Sequence, residues 1–179
     1  MLTITVQPDT EPVTPDEAKH QLRIMDGEAY EGDDWLMDRI KGCREEAESL
    51  QGRSYITREY VLIVEAASTI ELLMPPLQAV SEVLSIDEDG VETEITDYTI
   101  NTTLPVPALT IADLPTDSVY IKVTYTAGYG DTPADVPLPT RQAILVRLTQ
   151  YYNNREGLKP EHDSFFERLL GKDRLNWGF

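Results

Sequence analysis

The chain has 179 residues, with 15 Lys and Arg against 32 Asp and Glu, a formal net charge of −17. This length supports one domain, or one domain with a sizeable insertion, burying about 70% of its unfolded surface without a metal or disulfide staple. The charge excludes an overall basic face for nucleic acid or anionic lipid, and a single cysteine, Cys43, excludes an internal disulfide, which fits a reducing compartment.

The imbalance is uneven: residues 1–140 hold 8 basic and 27 acidic side chains, and residues 141–179 hold 7 and 5. The opening MLTITVQPDTEP lacks a basic region followed by an apolar core, so no signal peptide is expected. No apolar run approaches the roughly 20 residues that span a bilayer, and folding in cytoplasm is expected.

Leu2, Ile4 and Val6 alternate in an extended arm over residues 1–12, stopped by Pro8 and Pro12. A short helix follows, with Thr14 as N-cap, Pro15 at its first position and Glu17 completing a capping box. Ala18 and Leu22 form its buried side. The segment Asp26 to Asp34 reads as a loop ending in a second N-cap, Asp33 or Asp34. A second helix is expected from about Trp35 to Gln51, where Leu36, Ile40, Cys43, Ala47 and Leu50 make one stripe and Arg44, Glu45, Glu46 and Glu48 lie mostly off it. Gly52 is placed to end it. Cys43 on that stripe reads as a small buried residue, since no base is spaced to activate it.

From Tyr55 the period changes to two. Tyr55 to Val64 begins as an alternating strand and turns apolar on both faces at Val61. Ile70 to Met74 is a second strand, stopped by Pro75 and Pro76. Val83 to Asp87 and Val91 to Ile95 flank Asp89-Gly90, a strong hairpin signal. Tyr98 to Asn101 and Leu109 to Ile111 are weaker strands. Ser118 to Thr126 alternates cleanly, with Val119, Ile121, Val123 and Tyr125 facing one way. About six or seven strands in an antiparallel sandwich or barrel are expected.

A loop over residues 127–139 leads to a third helix, about Leu138 to Asn154, on which Tyr151, Ile144, Leu148, Tyr152 and Leu145 share an arc of about 120°. Val146 falls outside that arc, where a branched apolar residue is either incidental or a contact with a neighbouring subunit. A fourth helix, about Glu161 to Leu170, carries Phe165, Phe166, Leu169 and Leu170. The tail 171–179 places Lys172, Arg174, Trp177 and Phe179 together, and terminal aromatics beside basic residues need somewhere to dock.

The fold expected is α+β: a bundle of three to four helices with an antiparallel β sandwich or barrel inserted between the second and third. Residues 1–54 form an arm and two helices, 55–126 the β-rich insert, and 127–179 the linker loop, two helices and tail. Residues 1–54 and 127–179 are expected to pack as one helical domain.

Chemistry-bearing patterns are weak. Gly128-Tyr129-Gly130 follows a strand but lacks the third Gly and the Lys-Ser/Thr pair of a phosphate loop, so both glycines read as positive-φ turn residues. Asp87-Glu88-Asp89-Gly90 lacks the distal ligands of a calcium loop. His20 and His162 lack zinc spacing, and no metal or cofactor is expected. Asp33-Asp34, Glu45-Glu46 and Asp131 with Asp135 are paired carboxylates only by proximity in sequence, and no nucleophile motif occurs, so no enzyme is expected.

Tyr125, Ala127-Gly128-Tyr129-Gly130, Val136-Pro137, Arg141, Ala143-Ile144 and Tyr151 to Glu156 resemble the head-tail connector, or head-completion adaptor, proteins of long-tailed bacteriophages. Val13-Thr14-Pro15 with Glu17-Ala18 and Leu22, then Leu36, Ile40, Ala47, Gly52 and Arg53, are similar to that family's first two helices. Pro76-Leu77, Val80, Val83, Ile86-Asp87, Gly90 and Tyr98 resemble the β segment of its longer members. The match runs from about Val13 to Gly157, through the order and spacing of individually weak motifs. The strong acidity and the large β segment depart from the shortest connectors.

The resemblance implies a virion protein assembled in the host bacterial cytoplasm. It implies a ring of about twelve copies under the portal protein that extends the DNA channel and offers a platform to a tail or stopper protein. DNA would pass without specific binding, and no membrane is involved. Candidate subunit or portal contacts are Val146, Arg147, Arg155, Lys172, Arg174, Trp177 and Phe179. The competing reading is a carbohydrate- or protein-binding β module with flanking helices, marked by a stable monomer.

Overall fold

The computed structural model describes residues 1–24, 32–154, 157–171 and 174–175. The fold is α+β, with four helices and two antiparallel sheets among these residues. The chain divides into two compact units, one of residues 1–8 and 57–129, the other of residues 9–56 and 130–179. Each unit is therefore discontinuous, and the backbone crosses between them three times.

The first unit is all β. Its strands are β1 (Leu2–Val6), β2 (Arg58–Glu65), β3 (Thr69–Glu71), β4 (Leu77–Ile86), β5 (Glu92–Glu94), β6 (Tyr98–Asn101), β7 (Ala108–Ile111) and β8 (Tyr120–Ala127). One sheet runs β1-β2-β8-β4-β5 and the other β3-β7-β6. The arm read at the chain start is β1, paired antiparallel with β2.

Alternation explains β8, where Ile121, Val123, Tyr125 and Ala127 are all buried while Lys122, Thr124 and Thr126 are not. Tyr60 pairs in register with Tyr125. Their rings stack at 5.6 Å between centroids, a geometry worth about 0.5–1.5 kcal/mol beyond area burial. The Tyr125 hydroxyl donates to the Leu73 carbonyl at 2.9 Å, which satisfies the one polar atom that burial would otherwise strand. Burial also pushes that phenol's pKa well up. Ile70 of β3 with Leu109 and Ile111 of β7 join the same buried cluster.

β4 starts six residues earlier than the alternation indicates. Two register shifts against β8, between Leu77 and Ala79 and between Val80 and Glu82, break the period, and this half of the strand is mostly exposed. The β4–β5 hairpin forms as expected. Gly90 takes φ 80°, and Asp87 Oδ1 accepts from the Asp89 and Val91 N–H groups at 2.9 and 2.8 Å. That carboxylate is committed to its own turn, and no group of metal-binding residues occurs among the described residues.

The second unit holds α1 (Pro15–Leu22), α2 (Asp33–Gln51), α3 (Leu138–Asn153) and α4 (Pro160–Leu170). The capping box of α1 is present: Thr14 Oγ1 accepts from the Glu17 N–H, and Glu17 Oε2 accepts from the Thr14 N–H. The N-cap of α2 is Gly32 at φ 101°, not Asp33 or Asp34. Both carboxylates lie in the first turn, where the helix dipole favours them. Gly52, at φ 68°, ends α2 and donates to the Glu48 carbonyl.

The apolar stripe of α2 holds at Leu36, Ile40, Cys43 and Ala47, but Arg44 and Glu48 are buried beside it, at 1% and 2% exposure. They are buried because they are paired. Arg44 donates to Glu48 at 2.7 Å and to Glu11 at 2.6 Å, and Glu48 Oε1 accepts from the Tyr55 N–H at 2.9 Å. The network continues from the Tyr55 hydroxyl to Gln51 Oε1, and from Gln51 Nε2 to the Leu170 carbonyl that ends α4.

In the loop before α3 the two glycines differ. Gly128 has φ 142°, as a turn leaving the sheet requires. Gly130 does not take positive φ; a Cβ there would lie 2.5 Å from Asp135 Cγ, so it is glycine for want of space. Asp135 in turn accepts from the Thr132 N–H and hydroxyl at 2.9 and 2.7 Å.

Candidate interaction site on the helical unit

In the helical unit, α3 contacts α1, α2 and α4. Ala143, Ile144 and Leu148 fill its inner face, while Leu145, Tyr151 and Tyr152, placed by sequence on the same arc, are half-buried. Arg147 lies among them at 3% exposure. Its Nε donates to Glu46 Oε2 at 2.8 Å, its Nη2 donates to Glu46 Oε1, and Nη2 also lies 2.8 Å from Asp163 Oδ1. Its guanidinium carbon stands 4.8 Å from the Phe166 ring centroid and 5.1 Å from that of Tyr151. Burial pulls the guanidinium pKa down, but the hydrogen bonds it donates to Glu46 and Asp163 outweigh it and hold it above the ordinary value. Arg147 thus ties α3 to α2 and α4 from inside the unit.

Cys43 faces the same region. Burial, helped by Glu46, pushes its thiol up to about 12, so it carries no thiolate near neutral pH.

The outer side of α3 is different. Val146 is half-buried and, with Pro139, Leu145, Phe165 and Leu169, lines a groove of about 360 Å³ between α3 and α4, edged by Gln142 and by Gln21 of α1. Gln21 reaches Thr149 at 3.4 Å. Leu138, 60% exposed, begins the same helix. The sequence marks Val146 but groups the four apolar residues of α4 as one set. At helical spacing they divide: Phe166 and Leu170 are buried, while Phe165 and Leu169 are 38% and 37% exposed. The two i, i+4 pairs in the sequence carry that signal.

Of the other candidate contacts, Arg174 is exposed and precedes Leu175, which is buried and whose N–H donates to the Gln51 carbonyl at 3.1 Å. Arg155, Lys172, Trp177 and Phe179 lie outside the described residues.

No family model and no curated protein sequence matches the chain. Solved structures do. A chain of the virion of a native gene transfer agent particle superposes with a TM-score of 0.83 at 18% identity, over 100% of this chain and 97% of that one. The chain has the fold of a gene transfer agent particle subunit. A chain from the neck of the empty particle, computed with C6 symmetry, gives 0.82 at 21% identity, and one from the neck of the native particle, computed with C12 symmetry, gives 0.80 at 19%, both with the same coverage. At such identities the likeness establishes the fold over both units, while the apolar groove on α3 and α4 is described by this chain's own residues.

Proposed function

We propose that the protein is a head-tail connector: a structural virion subunit that forms a ring of about twelve copies beneath the portal, prolongs the DNA channel and gives a tail or stopper protein its platform. The observation that carries this reading is the full-length fold shared with neck chains of a phage-like particle, in a reconstruction with twelvefold symmetry. Three physical features support it. A closed ring needs two unlike patches that meet head to tail, and the helical unit offers an apolar groove. A net charge of −17 keeps a channel wall from holding phosphates as DNA slides past. The buried polar network of α2 and the Arg147 cluster pair buried charges within the bundle, which fits a part whose work is structural. In this reading Val146 contacts a neighbouring subunit, and the basic, aromatic end of the chain, with Arg155, Lys172, Arg174, Trp177 and Phe179, meets the portal.

The test is made on particles. With the gene intact, the protein should be found between head and tail in about twelve copies, and its removal should yield DNA-filled heads that fail to join tails. Normal tailed particles without it would refute the proposal, as would a stable monomer that binds oligosaccharide and never enters a particle.

A further inference from the structure

In a chain with 32 acidic residues, none among the described residues lines the groove between α3 and α4. Arg168 reinforces the contrast. It is exposed, its guanidinium carbon stands 5.2 Å from the Phe165 ring centroid, and it forms no ion pair among the described residues. The site is apolar with a cation at its rim, so its natural complement is an apolar knob set among carboxylates.

The β unit carries such a knob. At the β4–β5 turn Val91 is 56% exposed, and Glu88 and Asp89 beside it are exposed as well, while Glu92 pairs with Lys122 at 3.0 Å in its own subunit. The turn is already fixed in shape by the two hydrogen bonds to Asp87 Oδ1 and by Gly90, so seating it sacrifices little chain entropy. We infer that the Val91 hairpin of one subunit seats in the α3–α4 groove of the next copy, with Val91 against Val146 and Leu169 and the turn carboxylates facing Arg168. The contact is heterologous, each copy giving its hairpin and receiving another, which is the class of contact that makes a ring when its rotation closes. It also gives strongly acidic copies one place where opposite charges meet. The inference rests on the ring reading above.

Val91→Cys and Leu169→Cys are combined in the full chain, and the purified protein and particles assembled from it are oxidised and run under denaturing, non-reducing conditions. Cys43 does not compete, being 1% exposed with its thiol protonated. The result expected is a ladder of multiples of 20.2 kDa, lost on reduction, with neither single variant going beyond a dimer. Separately, Val91→Asp should weaken assembly by about tenfold or more, because it drives a carboxylate into an apolar site, with monomer melting unchanged. A ring in native mass measurement without a ladder overturns the interface and leaves the connector reading standing. A disulfide confined to the 20.2 kDa species overturns it too. Wild-type protein that forms no ring and enters no particle removes the connector reading, and the interface with it.

Discussion

Replacing Arg44 by Met tests whether the polar network of α2 is as dry as its exposures say. The side chains of Arg44 and Glu48 are 1% and 3% exposed, and that of Glu11 is 10%. The substitution keeps length and apolar bulk but deprives two carboxylates of their guanidinium. Taking away one partner of a buried pair costs about 3–5 kcal/mol, against about 0–1 kcal/mol for a surface pair. At the lower figure the melting temperature falls by about 6–12 °C for a chain of this size, and the urea midpoint by about 1.5 M for a slope near 2 kcal/mol/M. Trp35 in α2 reports the helical unit by fluorescence. Arg44→Met combined with Glu48→Gln should recover much of the loss, because the amide oxygen still accepts from the Tyr55 N–H without a stranded charge. A loss below about 1 kcal/mol for Arg44→Met would refute the reasoning, since it would mean that water reaches Glu48.

Acid should loosen the start of α1. Burial pushes the Glu17 carboxyl up, but the Thr14 N–H and the Arg141 guanidinium outweigh it and hold the pKa below the usual value. The stabilisation is present above the unfolded carboxylate pKa of about 4.3 and is lost as pH falls through the lowered native value. Urea midpoints taken from pH 6 down to 3 should therefore fall less steeply for Glu17→Gln than for the wild type. Gly130→Ala should destabilise by about 1–3 kcal/mol in urea unfolding, because the new methyl meets the Asp135 side chain, and an unchanged midpoint would contradict the steric account. Cys43 should resist a thiol-specific disulfide reagent at pH 8 in the native protein and react fully in denaturant; stoichiometric native labelling would contradict the burial of the thiol.

What the sequence made legible was what local rules govern. The Thr14-Glu17 box, the Gly52 cap, the Asp89-Gly90 hairpin and the alternation of β8 depend on neighbours within a few residues, and each is found in place. The first half of β4 was hidden because its register shifts destroy the period. Burial of Arg44 and Glu48 was hidden because it depends on Glu11 and Tyr55, one of them 33 residues away along the chain, which no helical projection can supply. For the groove, Val146 was readable as an apolar residue off the main arc. Its partners Phe165 and Leu169 were not, because four apolar residues in adjacent pairs look like one broad core face until α3 covers only half of it. Arg147, named among the candidate subunit or portal contacts, is instead buried, and its neighbours Glu46, Asp163 and Phe166 come from two other helices, which sequence spacing cannot bring together.

The three passages of backbone between the β unit and the helical unit have a mechanical consequence. A subunit joined by one linker is divided by a single proteolytic nick, and any pull between its halves runs through one peptide. Here a cut in any one passage leaves two covalent tethers, and tension is divided among parallel threads. Such a subunit would stay in one piece after a nick that severs an ordinary two-domain chain.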